Sequence, residues 1–189
     1  AGQEVGRSCI HISFKGKNIM LDCGLHPAWQ GHSALPFFDV IDPSTIDLLL
    51  VSSMHPSDHR NLLAASTLIT PQHYPILTED DFKGEVYMTK PTKLIYNHFI
   101  KDFLKVGFVL ASSTPLIYRK VDNSNALFSK KDVDDTLDKV KEIDFLTQLS
   151  HNGIKFWCYK AGHVLGAAMF MIEISGVKVS LTTKSKLTP

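Results

Sequence analysis

Asp47-Leu48-Leu49-Leu50-Val51-Ser52 runs directly into Ser53-Met54-His55-Pro56-Ser57-Asp58-His59, and this junction decides the fold. A continuous apolar run bounded by polar residues suits a central strand buried on both faces, as in sheets with layers packed on either side. Loops that follow such strands often carry function. Two His and one Asp fall within five positions here, which weakens the reading as an ordinary polar surface loop. Neutral imidazoles and hard carboxylate oxygens held at a rigid strand end are what a zinc site requires.

Working outward, Ile10, Ile12 and Phe14 alternate with His11 and Ser13, the period of a half-buried strand. Lys15-Gly16-Lys17 turns the chain into a second strand over Asn18 to Asp22, making a β-hairpin. Beyond the ligand-rich loop, Asn61 to Leu68 reads as a short helix and Glu85 to Met88 as a strand. Pro91, at a first-turn position, opens an amphipathic stretch with Leu94, Ile95, Phe99, Phe103 and Leu104 on its apolar face. Ser129 caps a helix predicted to reach Glu142, with aspartates near its positive end and lysines near its negative end. Ser112 to Asn125, polar and irregular, reads as an insertion.

The last third is antiparallel. Asn152-Gly153 is the strongest hairpin signal, joining Phe145–Leu149 to Ile154–Tyr159, and Ser175-Gly176 joins Ala168–Ile174 to Val177–Leu181. Strands at both ends with helices between them give an α/β sandwich in which a mixed sheet is accompanied by antiparallel C-terminal hairpins.

The 189 residues are 44% hydrophobic and 21% charged, which fits one globular domain and excludes disorder, a collagen-like repeat and a disulfide miniprotein. No apolar run approaches the roughly 20 residues that span a bilayer, so no membrane association is expected. The start, Ala1-Gly2-Gln3-Glu4-Val5-Gly6-Arg7, lacks the pattern of a secretory signal and an initiator Met, and reads as cropped or processed. A formal net charge of +1 produces no whole-molecule field, so contact with nucleic acid would need a local patch. Cys9, Cys23 and Cys158 are odd in number and flanked by apolar or small residues, the setting of buried reduced thiols in a reducing compartment.

Two further positions join the chemistry. In Ala161-Gly162-His163-Val164-Leu165-Gly166 the glycines allow a tight turn that projects an imidazole, or else His163 is simply a satisfied turn residue. Asp22, ahead of Cys23-Gly24, ends a strand and stands either to orient a metal-binding His or to cap the next turn.

Gly2 to Ser8, Met20-Leu21-Asp22-Cys23-Gly24-Leu25-His26-Pro27, Ile154 to Tyr159 and Ala161 to Phe170 together closely resemble the family of cleavage-and-polyadenylation endonuclease subunits, in the β-CASP subgroup of the metallo-β-lactamase fold. The likeness is close over Gly2–Ser52 and Asn152–Thr182, and looser between, where Phe82-Lys83-Gly84 and Met88 to Lys93 still match. The resemblance implies an αββα sandwich of which this chain holds the first half, and a nuclear enzyme whose two zinc ions activate water against a pre-mRNA phosphodiester. It implies RNA and other subunits of the cleavage and polyadenylation complex as partners. Residues 1–189 are then a partial metallo-β-lactamase-like domain, ending before the β-CASP domain and the later His ligands.

Carried over by motif, Asp58 and His59 match the catalytic Asp-His end of the family's His-x-His-x-Asp-His loop. His163 matches the third-motif His, and Asp22 the first-motif Asp behind the metal ligands. The metal set by resemblance is therefore His55, Asp58, His59 and His163. The departures weigh against activity. One extra residue between Ser52 and Asp58 turns the two leading His positions into Ser53 or Met54 and His55 or Pro56, so one His at most survives there. Thr182-Thr183-Lys184 stands where the family has Thr-Gly-Asp, whose carboxylate bridges the metals. An ammonium there removes a shared ligand and adds a like charge beside the cations. The expectation is an impaired endoribonuclease; the alternatives are a non-catalytic RNA- or complex-binding module, or a truncated relic.

Overall fold

The computed structural model describes residues 8–24, 36, 38–53, 82–99, 101, 130–162 and 164–181. The apolar run Leu48–Leu50 is β3, a central strand of a five-stranded sheet in the order β1-β2-β3-β4-β5. Its neighbours are β2 (Lys17–Leu21) and β4 (Glu85–Thr89), both parallel to it. The edges are β1 (Ile10–Phe14), antiparallel to β2, and β5 (Val140–Ile143), parallel to β4.

Consecutive strand residues point to opposite faces, and both faces of β3 are covered. Leu49 and Val51 join Met20, Val86 and Met88 beneath a helix over residues 90–99 (α1), which contributes Tyr96, and beneath α2 (Lys130–Lys139), which contributes Val133. Leu48 and Leu50 point the other way, with Ile19, Leu21, Tyr87 and Ile143, into a second core. That core is closed by an antiparallel sheet in the order β6-β7-β8-β9: Leu149–His151, Ile154–Lys160, Ala168–Ile174 and Val177–Leu181. Every second residue of β7 and β8, from Ile154, Phe156 and Cys158 to Phe170, Ile172 and Ile174, is buried against the first sheet. The described layers are thus helix, mixed sheet, antiparallel sheet. Three two-residue hairpins, Lys15-Gly16, Asn152-Gly153 and Ser175-Gly176, have positive φ at both positions, the geometry that matches strand twist.

Two expected boundaries shift. The helix expected to reach Glu142 ends at Lys139, and Val140–Ile143 is strand β5 instead, because Val140 and Ile143 are worth more buried on either side of the sheet than exposed on a last helical turn. The strand expected over Phe145–Leu149 begins only at Leu149; Phe145 and Leu146 form a turn, with Leu146 at positive φ. The expected helix over 61–68 and the insertion over 112–125 lie outside the described residues.

The sheets are also pinned at one end by polar contacts. Glu85, at the start of β4, accepts hydrogen bonds from Tyr87 Oη on Oε2 (2.6 Å) and from Lys141 Nζ on Oε1, and His151 Nδ1 of β6 lies 3.1 Å from Oε2. Asn152 reaches from the same hairpin to Asp47. Burial pushes the Glu85 carboxyl up, but hydrogen bonds from Lys141 and Tyr87 and the neighbouring positive charges outweigh it and hold it below its ordinary range. Burial and the Glu85 hydrogen bond push the Tyr87 phenol up to about 12.

A carboxyl depressed in the folded state stabilises fully above its unfolded pKa, and that contribution is lost as pH falls through the folded value. Glu85→Gln should therefore lower stability at neutral pH and flatten the acid limb of a stability–pH profile measured by urea unfolding. Phe156→Ala, which empties the centre of the inter-sheet core, should cost about 3–5 kcal/mol in the same assay.

Candidate functional site

The parallel strands β2, β3 and β4 end on one rim of the mixed sheet, where the expected ligand loops depart. Ligand sites in open α/β sheets collect at this carboxyl end. Asp22 directly follows β2, 3% exposed and at φ +52°, and its N–H donates to Leu50 O at 2.9 Å. Its carboxylate accepts from both groups of Ser52: Oδ1 from the backbone N–H at 2.8 Å and Oδ2 from Oγ at 2.7 Å. Both bonds are charge-assisted and buried, so they fix the chain where it leaves β3 for the 53–59 loop. Asp22 thus holds the base of the His-rich loop.

Ser52 extends the lock to the other sheet. Its carbonyl accepts from Ala168 N at 2.7 Å, while Val51 N donates to Tyr87 O at 2.9 Å. Ala168 opens β8, immediately after the turn that carries His163. That turn is closed on itself by Ala161 N to Ala167 O at 2.9 Å and Ala167 N to Val164 O at 3.2 Å.

The same turn is clamped to the start of α1. Thr89 Oγ1 lies 2.7 Å from Gly166 O and Thr92 Oγ1 3.0 Å from it, and both hydroxyls are buried. Thr92 N also donates to Thr89 Oγ1 at 3.4 Å, a helix-capping contact. Gly166 has φ +85°, and a Cβ there would meet Thr92 Oγ1 at 2.6 Å and Thr92 N at 2.7 Å. Only glycine combines that backbone with so close an approach.

Of the expected site residues, the structure describes two: Asp22, fastened to Ser52, and Ser53, half-buried one position further along. His55, Pro56, Asp58, His59, His163 and Lys184 lie outside the described residues. Among the described residues, no group of three or more His, Cys, Asp or Glu is disposed to hold a metal ion. Sequence reasoning named Gly166 only as a turn glycine and gave Ser52, Thr89 and Thr92 no role at the site. The legible signal was Thr89-Lys90-Pro91-Thr92, a hydroxyl cap before a first-turn proline.

Lys90, Lys93, Lys101 and Lys105 are candidates for a phosphate track, with a plain solvated helix face as the competing reading. The structure favours the second for two of them. Lys93 Nζ donates to Val140 O at 2.8 Å, and Lys101 pairs with Asp134 at 3.3 Å. Lys93 thereby ties α1 to β5, and Lys101 is paired with a carboxylate of α2. No described helix is long and apolar enough to cross a membrane.

With this architecture in view, comparison with known proteins defines the class. The family model for the metallo-β-lactamase superfamily domain matches residues 11–184, and the chain belongs to that superfamily. A metallo-β-lactamase from Cronobacter sakazakii superposes with a TM-score of 0.50 at 12% identity, covering 93% of this chain and 56% of that one, a likeness of fold alone. The superfamily fold implies a metal-binding centre.

Within that class, three curated relatives narrow the comparison. The chain is 47% identical over 182 residues to cleavage and polyadenylation specificity factor subunit 3-I of Arabidopsis thaliana, covering 96% of this chain and 23% of the relative. It is 44% identical over 179 residues to the endoribonuclease YSH1 of Saccharomyces cerevisiae, covering 95% and 21%. It is 41% identical over 182 residues to cleavage and polyadenylation specificity factor 73 of Drosophila melanogaster, again covering 23% of the relative. The chain therefore spans between a fifth and a quarter of the length of these relatives.

Ser52→Ala should cost about 1–3 kcal/mol, because it strips one donor from a buried carboxylate. Gly166→Ala should cost more than about 1 kcal/mol from the positive φ alone, before the clash with Thr92. Chemical denaturation of the two variants, with Thr89→Ala and Gly166→Ala combined in a double-mutant cycle, measures both costs and the coupling across the clamp.

Proposed function

We propose that this chain is a metallo-β-lactamase-fold segment of the pre-mRNA 3′-end endoribonuclease type whose two-metal hydrolytic centre is impaired. The observation that carries the reading is the substitution pattern at the ligand positions: an expanded loop leaving His55, Asp58 and His59, and Lys184 in place of a bridging carboxylate. The remaining donors, three imidazoles with His163 and one carboxylate, suit a single zinc in type and number. They do not suit a bridged pair, which needs shared anionic oxygen between two cations.

A bound zinc acidifies water and polarises a phosphoryl oxygen. The protein's part is otherwise positional. Asp22 holds Ser52, Ser52 holds the exit of the ligand loop, and Ala168 ties the His163 turn to the same carbonyl. That framework supports an intact ligand scaffold around an incomplete ligand set. With Asp58 and His59 as the only survivors of the catalytic motif's second half, hydrolysis by two-metal activation lacks its bridging anion. The partners this reading implies are RNA and other subunits of the 3′-end processing complex, in the nucleus, by kinship with the relatives named above.

Elemental analysis of the zinc-equilibrated chain should find about one equivalent at most, lost in His59→Ala and in His163→Ala. Incubation with a short RNA and zinc should give no cleavage that depends on Asp58. Two equivalents of zinc together with cleavage abolished by Asp58→Ala would overturn the proposal and restore an active endoribonuclease.

A further inference from the structure

Cys9 and Cys23 face each other at the end of the β1–β2 ladder. The register pairs Ile10 with Leu21, yet the next backbone hydrogen bond, Gly24 N to Ser8 O at 2.9 Å, pairs residues whose numbers sum to one more. One residue has been inserted on the β2 side, and Asp22, at φ +52°, is that bulge. Across a bulge two residues oppose one, so Cys9 is set against Asp22 and Cys23. Cys9 and Cys23 share one face and pack in the same core beneath the helices. Both are free thiols in this structure.

We propose that Cys9 and Cys23 are a dithiol that a hydroperoxide oxidises to a cross-strand disulfide, a modification site beside the Asp22 lock. Opposed residues of an antiparallel pair have Cα atoms about 4.5–5.5 Å apart, inside the range of about 4.4–6.8 Å that a disulfide spans. Cys9 is half-buried and Cys23 fully buried, which assigns the roles: Cys9 meets the oxidant and Cys23 resolves. The neighbouring Cys23 thiol brings the Cys9 thiol below its usual range against burial and the Asp22 charge, whereas burial pushes the Cys23 thiol well up. Lowered proton affinity and access mark the attacking thiol. Cys158 shows the contrast: it is buried, pushed up to about 11 by burial and the charge of Asp144, and its thiol donates to Asp144 O at 3.7 Å.

The chemistry balances in two steps. The Cys9 thiolate attacks the distal peroxide oxygen, the O–O bond breaks, and the departing alkoxide takes a proton, leaving a sulfenic acid. The Cys23 sulfur then attacks the Cys9 sulfur, the S–O bond breaks, and hydroxide leaves as water with the Cys23 proton. Two thiols lose two electrons and the hydroperoxide gains them.

The test treats the full chain with hydrogen peroxide, alkylates remaining thiols, and maps peptides by mass spectrometry without reduction. The expected result is a Cys9–Cys23 linked peptide two hydrogens lighter than its parts, released by dithiothreitol, with Cys158 alkylated. In Cys23→Ser, dimedone should trap a sulfenic acid at Cys9. Cys9 and Cys23 both recovered alkylated after peroxide, or Cys158 as the oxidised residue, would overturn the proposal whether or not the Cys23→Ser variant folds.

Discussion

Leu48, Leu49, Leu50 and Val51 are all inaccessible to solvent, and alternation sends two of them into each core. A strand with two buried faces needs a layer on each side. One layer is helical and the other is a second sheet, and this run lies at the centre of the apolar face that each one covers. Parallel neighbours follow from the same constraint, because a parallel strand's return connection must cross a face and bring a covering segment with it. The pairs β2–β3, β3–β4 and β4–β5 are all parallel.

The rim of that sheet is organised by one buried carboxylate. Asp22 could not lie where it does as an unpaired charge, since an ion removed from water needs hydrogen bonds to offset its desolvation. Ser52 supplies two, one from its backbone and one from its hydroxyl. Because the Ser52 carbonyl is spent on Ala168, the loop exits of both sheets share one residue. One buried contact therefore fixes both the end of β3 and the start of β8.

Hairpins and the central strand were legible in the sequence because their signals are local: a two-residue turn at positive φ, an alternation, an uninterrupted apolar run. Val177–Leu181 and Ala168–Ile174 match their expected limits. The end of α2 was not legible, since Val140-Lys141-Glu142-Ile143 continues a helical pattern as readily as it makes a strand, and the parallel partner β4 decides. At the site, Asp22 was readable by motif, but its partner Ser52 was not, because a serine at a strand end looks like any other until the carboxylate thirty residues earlier is folded onto it. The Gly166 clamp was hidden for the same reason: Gly166 lies more than seventy positions from Thr89 and Thr92.

That clamp has a bearing on how such proteins exchange parts. The turn over residues 161–167 looks like a self-contained cassette, closed by its own hydrogen bonds. Yet its last glycine rests on the first turn of α1, with no room for a methyl group between them. Grafting the turn from one homologue to another would import half of a fitted joint, so the segment around Thr89-Lys90-Pro91-Thr92 has to travel with it.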